Sequence, residues 1–114
     1  MYKMFSGCSL LDSVYLINLD MSSVKSMGYI FNGCNSLKDV YISNIKTSSL
    51  LYMYSMLSGC GSLVSLEISN FDTSLVSNLE GLFYGCSSLI SIIIYYKYYS
   101  INIYCIFHIF NYQI

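Results

Sequence analysis

The apolar positions of this chain recur on a fixed period. A Gly-Cys pair stands at Gly7-Cys8, Gly33-Cys34, Gly59-Cys60 and Gly85-Cys86, 26 residues apart each time, without insertion or deletion. Three residues after each Cys comes Leu11, Leu37, Leu63 or Leu89. Val14, Val40, Leu66 and Ile92 follow, and two further on Leu16, Ile42, Ile68 and Ile94. This L-x-x-L-x-L pattern ends on period 2 and predicts a short strand with one buried face. A period of roughly 20–29 residues with Leu at set offsets predicts a solenoid of stacked units. Asn18, Asn44 and Asn70 come next, at a strand-to-turn position where the side chain can bind turn backbone. Leu19, Ile45 and Phe71 are expected to be buried.

The second half of each unit reads as a short helix. Asp20, Ser22 and Ser23, then Thr47, Ser48 and Ser49, then Asp72, Thr73 and Ser74 supply N-cap residues. Apolar residues then fall at offsets 0, 3, 6 and 7: Val24, Met27, Ile30, Phe31; Leu50, Met53, Met56, Leu57; Val76, Leu79, Leu82, Phe83. That spacing places them on one face of about two helical turns. The Gly two residues later is expected to end the helix in a left-handed conformation. So short a helix is marginal alone, and stacking would bury its face.

The outward strand positions are Ser13, Asp39, Ser65, Ser91; Tyr15, Tyr41, Glu67, Ile93; and Ile17, Ser43, Ser69, Tyr95. In solenoids the parallel sheet commonly lines the binding face. Tyr15 and Tyr41, with Asp39 and Glu67, are therefore the candidate binding residues, for a protein or glycan ligand. Aromatic stacking within the sheet is the competing explanation for the two tyrosines.

Composition narrows this picture. The 114 residues suit one domain, 55% hydrophobic and 10% charged, with a net charge of −1. No basic field exists to attract nucleic acid. Four of the five Cys share one repeat position, so stacking would set them about 4.8 Å apart with parallel Cβ vectors. A disulfide needs Cβ atoms facing each other, so a ladder of buried, reduced thiols is expected. Neither zinc-ligand spacing nor a Cys-His or Ser-His pair occurs within the repeats; His108 is the single His and lies in the tail. No catalytic residue, metal or cofactor is expected. Asp20 and Asp72 share a repeat position and read as helix caps.

Regularity ends near residue 95. In the apolar tail, 96–114, Lys97, Asn102, His108 and Asn111 interrupt any run of about 20 apolar residues. It reads as a cap over the last unit or an accidental tail rather than a membrane span. Residues 1–5 fall directly into a repeat without an apolar run, so no signal peptide is expected within them.

The repeats, above all the run Leu57-Ser-Gly-Cys-Gly-Ser-Leu-Val-Ser-Leu-Glu-Ile-Ser-Asn-Phe-Asp-Thr-Ser-Leu-Val, resemble the BspA-like leucine-rich-repeat surface proteins. They are most similar to the 26-residue variety also seen in lipoproteins of wall-less bacteria, over residues 4–95. The resemblance implies a surface-exposed protein associated with adhesion, without catalytic residues.

The fold expected is an α/β leucine-rich-repeat solenoid. About four strand–turn–short-helix units, starting near residues 4, 30, 56 and 82, would form the 1–95 array with a parallel sheet on one face. The function expected is non-enzymatic binding, as a segment of a cell-surface protein able to stack with further repeats. The alternatives are a structural or vestigial repeat fragment without a ligand, and an intracellular interaction scaffold.

Overall fold

A computed structural model describes residues 1–68 and 70–93. Four short strands follow one another: β1 (Ser13–Ile17), β2 (Asp39–Ser43), β3 (Ser65–Glu67) and β4 (Ser91–Ile93). β1 pairs with β2 in parallel, with Ser13 opposite Asp39 and Ile17 opposite Ser43. β3 pairs with β4 in parallel, with Ser65 opposite Ser91. Each pairing joins residues one sequence period apart, so equivalent positions of neighbouring units lie side by side. The result is a small domain with short parallel two-stranded sheets and no helix among the described residues.

Two expectations are corrected here. The parallel sheet expected along one face is divided, among the described residues, into two pairs, β1–β2 and β3–β4. At the junction between the pairs, the Asn70 carboxamide donates to the Ile42 carbonyl at 3.4 Å, taking up an acceptor on β2. Asn44 keeps the expected ladder and donates to Asn18 Oδ1 at 2.8 Å.

The second correction concerns the short helices. Residues 27–33 and 53–59 form a ladder of overlapping turns instead. The amides of Met27, Tyr29, Phe31 and Gly33 donate to the carbonyls of Tyr52, Tyr54, Met56 and Ser58, at 2.8–3.2 Å. The next stretch repeats this, with Met53, Ser55, Leu57 and Gly59 bonded to Asn78, Glu80, Leu82 and Tyr84. Amides between these close local turns, such as Asn32 to Tyr29 at 3.2 Å and Cys34 to Phe31 at 3.1 Å. Alternate amides thus point along the stack and within the unit. An α-helix would turn every amide to its own axis.

Left-handed residues impose the break. Tyr29, Ser55 and Gly81 have φ between 50° and 63° at one repeat position in the middle of each expected helix, and Lys3, at the same position, has φ of 57°. A right-handed helix cannot pass through such a residue. The N-cap residues serve turns in its place. Ser22 N–H donates to Asp20 Oδ1 at 3.0 Å and Ser74 N–H to Asp72 Oδ1 at 3.1 Å.

The glycine of each Gly-Cys pair does take the left-handed conformation, with φ of 75° to 79° at Gly7, Gly33, Gly59 and Gly85. Close stacking requires it as well. A Cβ on Gly59 would stand 3.3 Å from the Gly33 Cα.

The burial pattern holds although the helix does not. Met27, Ile30, Phe31, Leu50, Met53, Met56, Leu57, Leu82 and Phe83 are at most 1% exposed. They form one core with Val14, Leu16, Val40, Ile42, Leu66 and Ile68 from the strand half. Each such side chain contributes about 1.5–3 kcal/mol of apolar burial. Ile45 and Phe71 are buried as expected, whereas Leu19, in the first unit, is 38% exposed. Ile94, Tyr95, Ser69 and the whole 96–114 tail, with Cys105 and His108, lie outside the described residues.

Candidate functional site

The strand surface carries the predicted residues. Along β2, Val40 and Ile42 turn inward, so Asp39 and Tyr41 turn outward on the same face. Tyr15 does the same on β1. In-register pairing sets Tyr15 opposite Tyr41, and their rings stack with centroids 4.7 Å apart and planes 12° apart. Both remain open to solvent, at 63% and 48% exposure. Stacking and availability for contact therefore coexist: the pair is an aromatic platform whose inner ring faces cover each other and whose edges and outer faces stay open.

Charges beside the platform follow the same register. Asp12 and Lys38 share a repeat position in neighbouring units and form an exposed ion pair at 3.0 Å. Asp39 is exposed next to it, its backbone amide bound to the Asp12 carbonyl at 3.4 Å. Glu67 is exposed too, but it belongs to β3 in the other sheet, in register with Ile93. The structure thus gathers Tyr15, Tyr41 and Asp39 in one sheet and leaves Glu67 in the second.

Asp20 joins Lys46 across units at 3.9 Å, again at a shared position. Its carboxyl is held below the usual carboxylate range, chiefly by the Ser22 hydroxyl at 2.6 Å and the Ser22 amide, with Lys46 adding a smaller pull.

The cysteines take the ladder arrangement, with Cys34, Cys60 and Cys86 buried and Cys8 exposed at the first unit. Each buried thiol donates to a carbonyl of the preceding unit: Cys34 to Phe5 at 3.1 Å, Cys60 to Phe31 at 3.2 Å and Cys86 to Leu57 at 3.1 Å. Burial raises the Cys34 thiol, and pushes Cys60 up to about 12 and Cys86 up to about 11. Such thiols stay protonated at neutral pH and are poor nucleophiles. Among the described residues no three His, Cys, Asp or Glu side chains gather closely enough to hold a metal ion. No helix among them is long and apolar enough to cross a membrane.

One group was not legible in the repeat alignment. Tyr29, Tyr54 and Tyr84 line an open groove with Asn78 and Glu80 on the turn ladder. These tyrosines occupy three different repeat offsets, so aligning the units separates them. The signal that unites the first two is the bonding register of this ladder, in which Tyr29 N–H meets the Tyr54 carbonyl at 3.2 Å.

Among known proteins, a family model described as "Mycoplasma protein of unknown function, DUF285" matches residues 1–110. That match runs past residue 95, where the repeat pattern stops. Neither a search of curated proteins nor one of solved structures returns a match.

Proposed function

The chain belongs to the DUF285 family of mycoplasma proteins, and from that premise we propose that it is a non-enzymatic binding segment of a leucine-rich-repeat surface protein. In this reading the stacked 26-residue units form a solenoid of the BspA-like kind, and further copies would add in the same register. The strand face meets a protein or glycan on another cell or its matrix. The observation that carries the reading is the Tyr15–Tyr41 platform: two parallel rings, 4.7 Å apart, exposed and flanked by Asp39. Exposed tyrosine edges and outer faces present contact area at low entropic cost, and suit both sugars and protein side chains.

The test is binding of the purified chain to immobilised matrix proteins and glycans. Saturable binding that the Tyr15→Ala, Tyr41→Ala double variant loses by roughly tenfold or more supports the reading. Absence of saturable binding to any of them defeats adhesion as the role. Protease treatment of intact cells separately tests surface display, since a chain protected from external protease is not displayed.

A further inference from the structure

The turn ladder carries a second aromatic arrangement, built around Tyr29. Its ring meets Tyr2 at 5.9 Å with planes 87° apart, and Tyr54 at 5.4 Å with planes 80° apart. Tyr29 therefore shares two right-angled corners. The first holds a cation: Lys3 Nζ sits 5.3 Å from the Tyr2 centroid and 5.5 Å from that of Tyr29. The second, between Tyr29 and Tyr54, opens into a groove of about 350 Å³ that Tyr84, Asn78 and Glu80 also line. Along this groove the repeat position of Lys3 is occupied by Tyr29 itself, Ser55 and Gly81. No lysine therefore reaches the second corner from that position. The Glu80 carboxylate has no ion pair among the described residues, while its amide is fixed by Asn78 Oδ1 at 2.9 Å.

Gly28 makes the corner possible. A Cβ there would stand 2.8 Å from Tyr54 Cε2 and Cζ, so the bare glycine leaves the ring its place.

We propose that this groove binds an alkylammonium cation of the trimethylammonium class. Perpendicular aromatic faces attract a cation through their quadrupoles. An alkylated ammonium is weakly hydrated, so it enters such a corner at small desolvation cost, and its methyl groups contact the rings. Glu80 provides the opposite charge. This site shares no residue with the Tyr15–Tyr41 platform, so the two readings stand or fall separately.

The test titrates the purified chain with choline chloride, and with its neutral isostere 3,3-dimethylbutan-1-ol, following chemical shifts. Saturable choline binding is expected, with the isostere about tenfold weaker. Tyr54→Leu, Glu80→Gln and Gly28→Ala should each weaken choline by about fivefold or more. Tyr54→Phe should retain it, and circular dichroism checks that each variant is folded. The Tyr15→Ala, Tyr41→Ala double variant should leave choline binding unchanged. Retention of the chain on phosphatidylcholine but not phosphatidylglycerol vesicles assigns the cation to a lipid headgroup; choline binding without retention assigns it to a free small molecule. Equal affinity for the isostere, or choline binding indifferent to both Tyr54→Leu and Glu80→Gln, overturns the proposal.

Discussion

The Cys60 thiol donates to the Phe31 carbonyl of the preceding unit at 3.2 Å, and the same carbonyl accepts the Cys34 amide at 3.1 Å. One acceptor thus ties a unit to itself and to its successor. The arrangement recurs at Phe5 with Cys8 and Cys34, and at Leu57 with Cys60 and Cys86. Cys34, Cys60 and Cys86 each serve as a small apolar filler that also donates a weak hydrogen bond.

Thiol accessibility follows from this. In the folded protein, Cys8 should react with a thiol reagent well before Cys34, Cys60 and Cys86, which are buried. Mass spectrometry after a brief native pulse reads the order. Equal labelling of Cys60 and Cys8 would contradict the buried ladder.

The raised thiols make stability depend on alkaline pH. Unfolding returns Cys60 and Cys86 towards the ordinary 9.0 from about 12 and about 11. Above pH 9 the unfolded chain loses protons that the folded chain keeps, so ionisation favours unfolding. The contribution is intact below pH 9 and is lost as pH rises towards 11–12, at about 1.4 kcal/mol per pH unit for each thiol. Urea unfolding between pH 8 and 10.5 should show a steeper decline in the parent chain than in Cys60→Ala.

Backbone geometry at the left-handed position reverses the usual sign of a glycine substitution. Ser55 has φ of 50°, so Ser55→Gly should stabilise by about 1 kcal/mol. Gly81 has φ of 63°, and a Cβ there would lie 3.0 Å from Ser55 Oγ. Gly81→Ala should therefore destabilise by about 1–2 kcal/mol. In a helix both signs would be opposite. Denaturation midpoints of the two variants distinguish a turn ladder from a helix.

Core packing sets the largest single effect. Phe31 is fully buried and stacks on Phe5 with centroids 5.6 Å apart and planes 2° apart. Phe31→Ala should cost about 3–5 kcal/mol, a large share of a small domain's stability. Tyr84→Ala, at a 68% exposed position, should stay within about 0.5 kcal/mol. Similar melting shifts for both would place Phe31 outside the core.

Sequence alone determined which positions are inside and which units are neighbours. The 26-residue spacing fixed the strand register, and the helical offsets named Met27, Ile30 and Phe31, which the structure buries, with Val24 half-buried beside them. Side-chain burial is written locally, because each unit must hide its apolar residues whatever its backbone does. Tertiary structure decided the path between them. Tyr29 and Ser55 carry no local mark of a left-handed conformation, and only Gly81 at that position hints at one. Their amides find acceptors in the next unit, so a turn ladder is satisfied only when units stack, and a single unit read by itself looks helical. The Tyr29–Tyr54 corner likewise exists only because the stack brings residues 25 apart into contact.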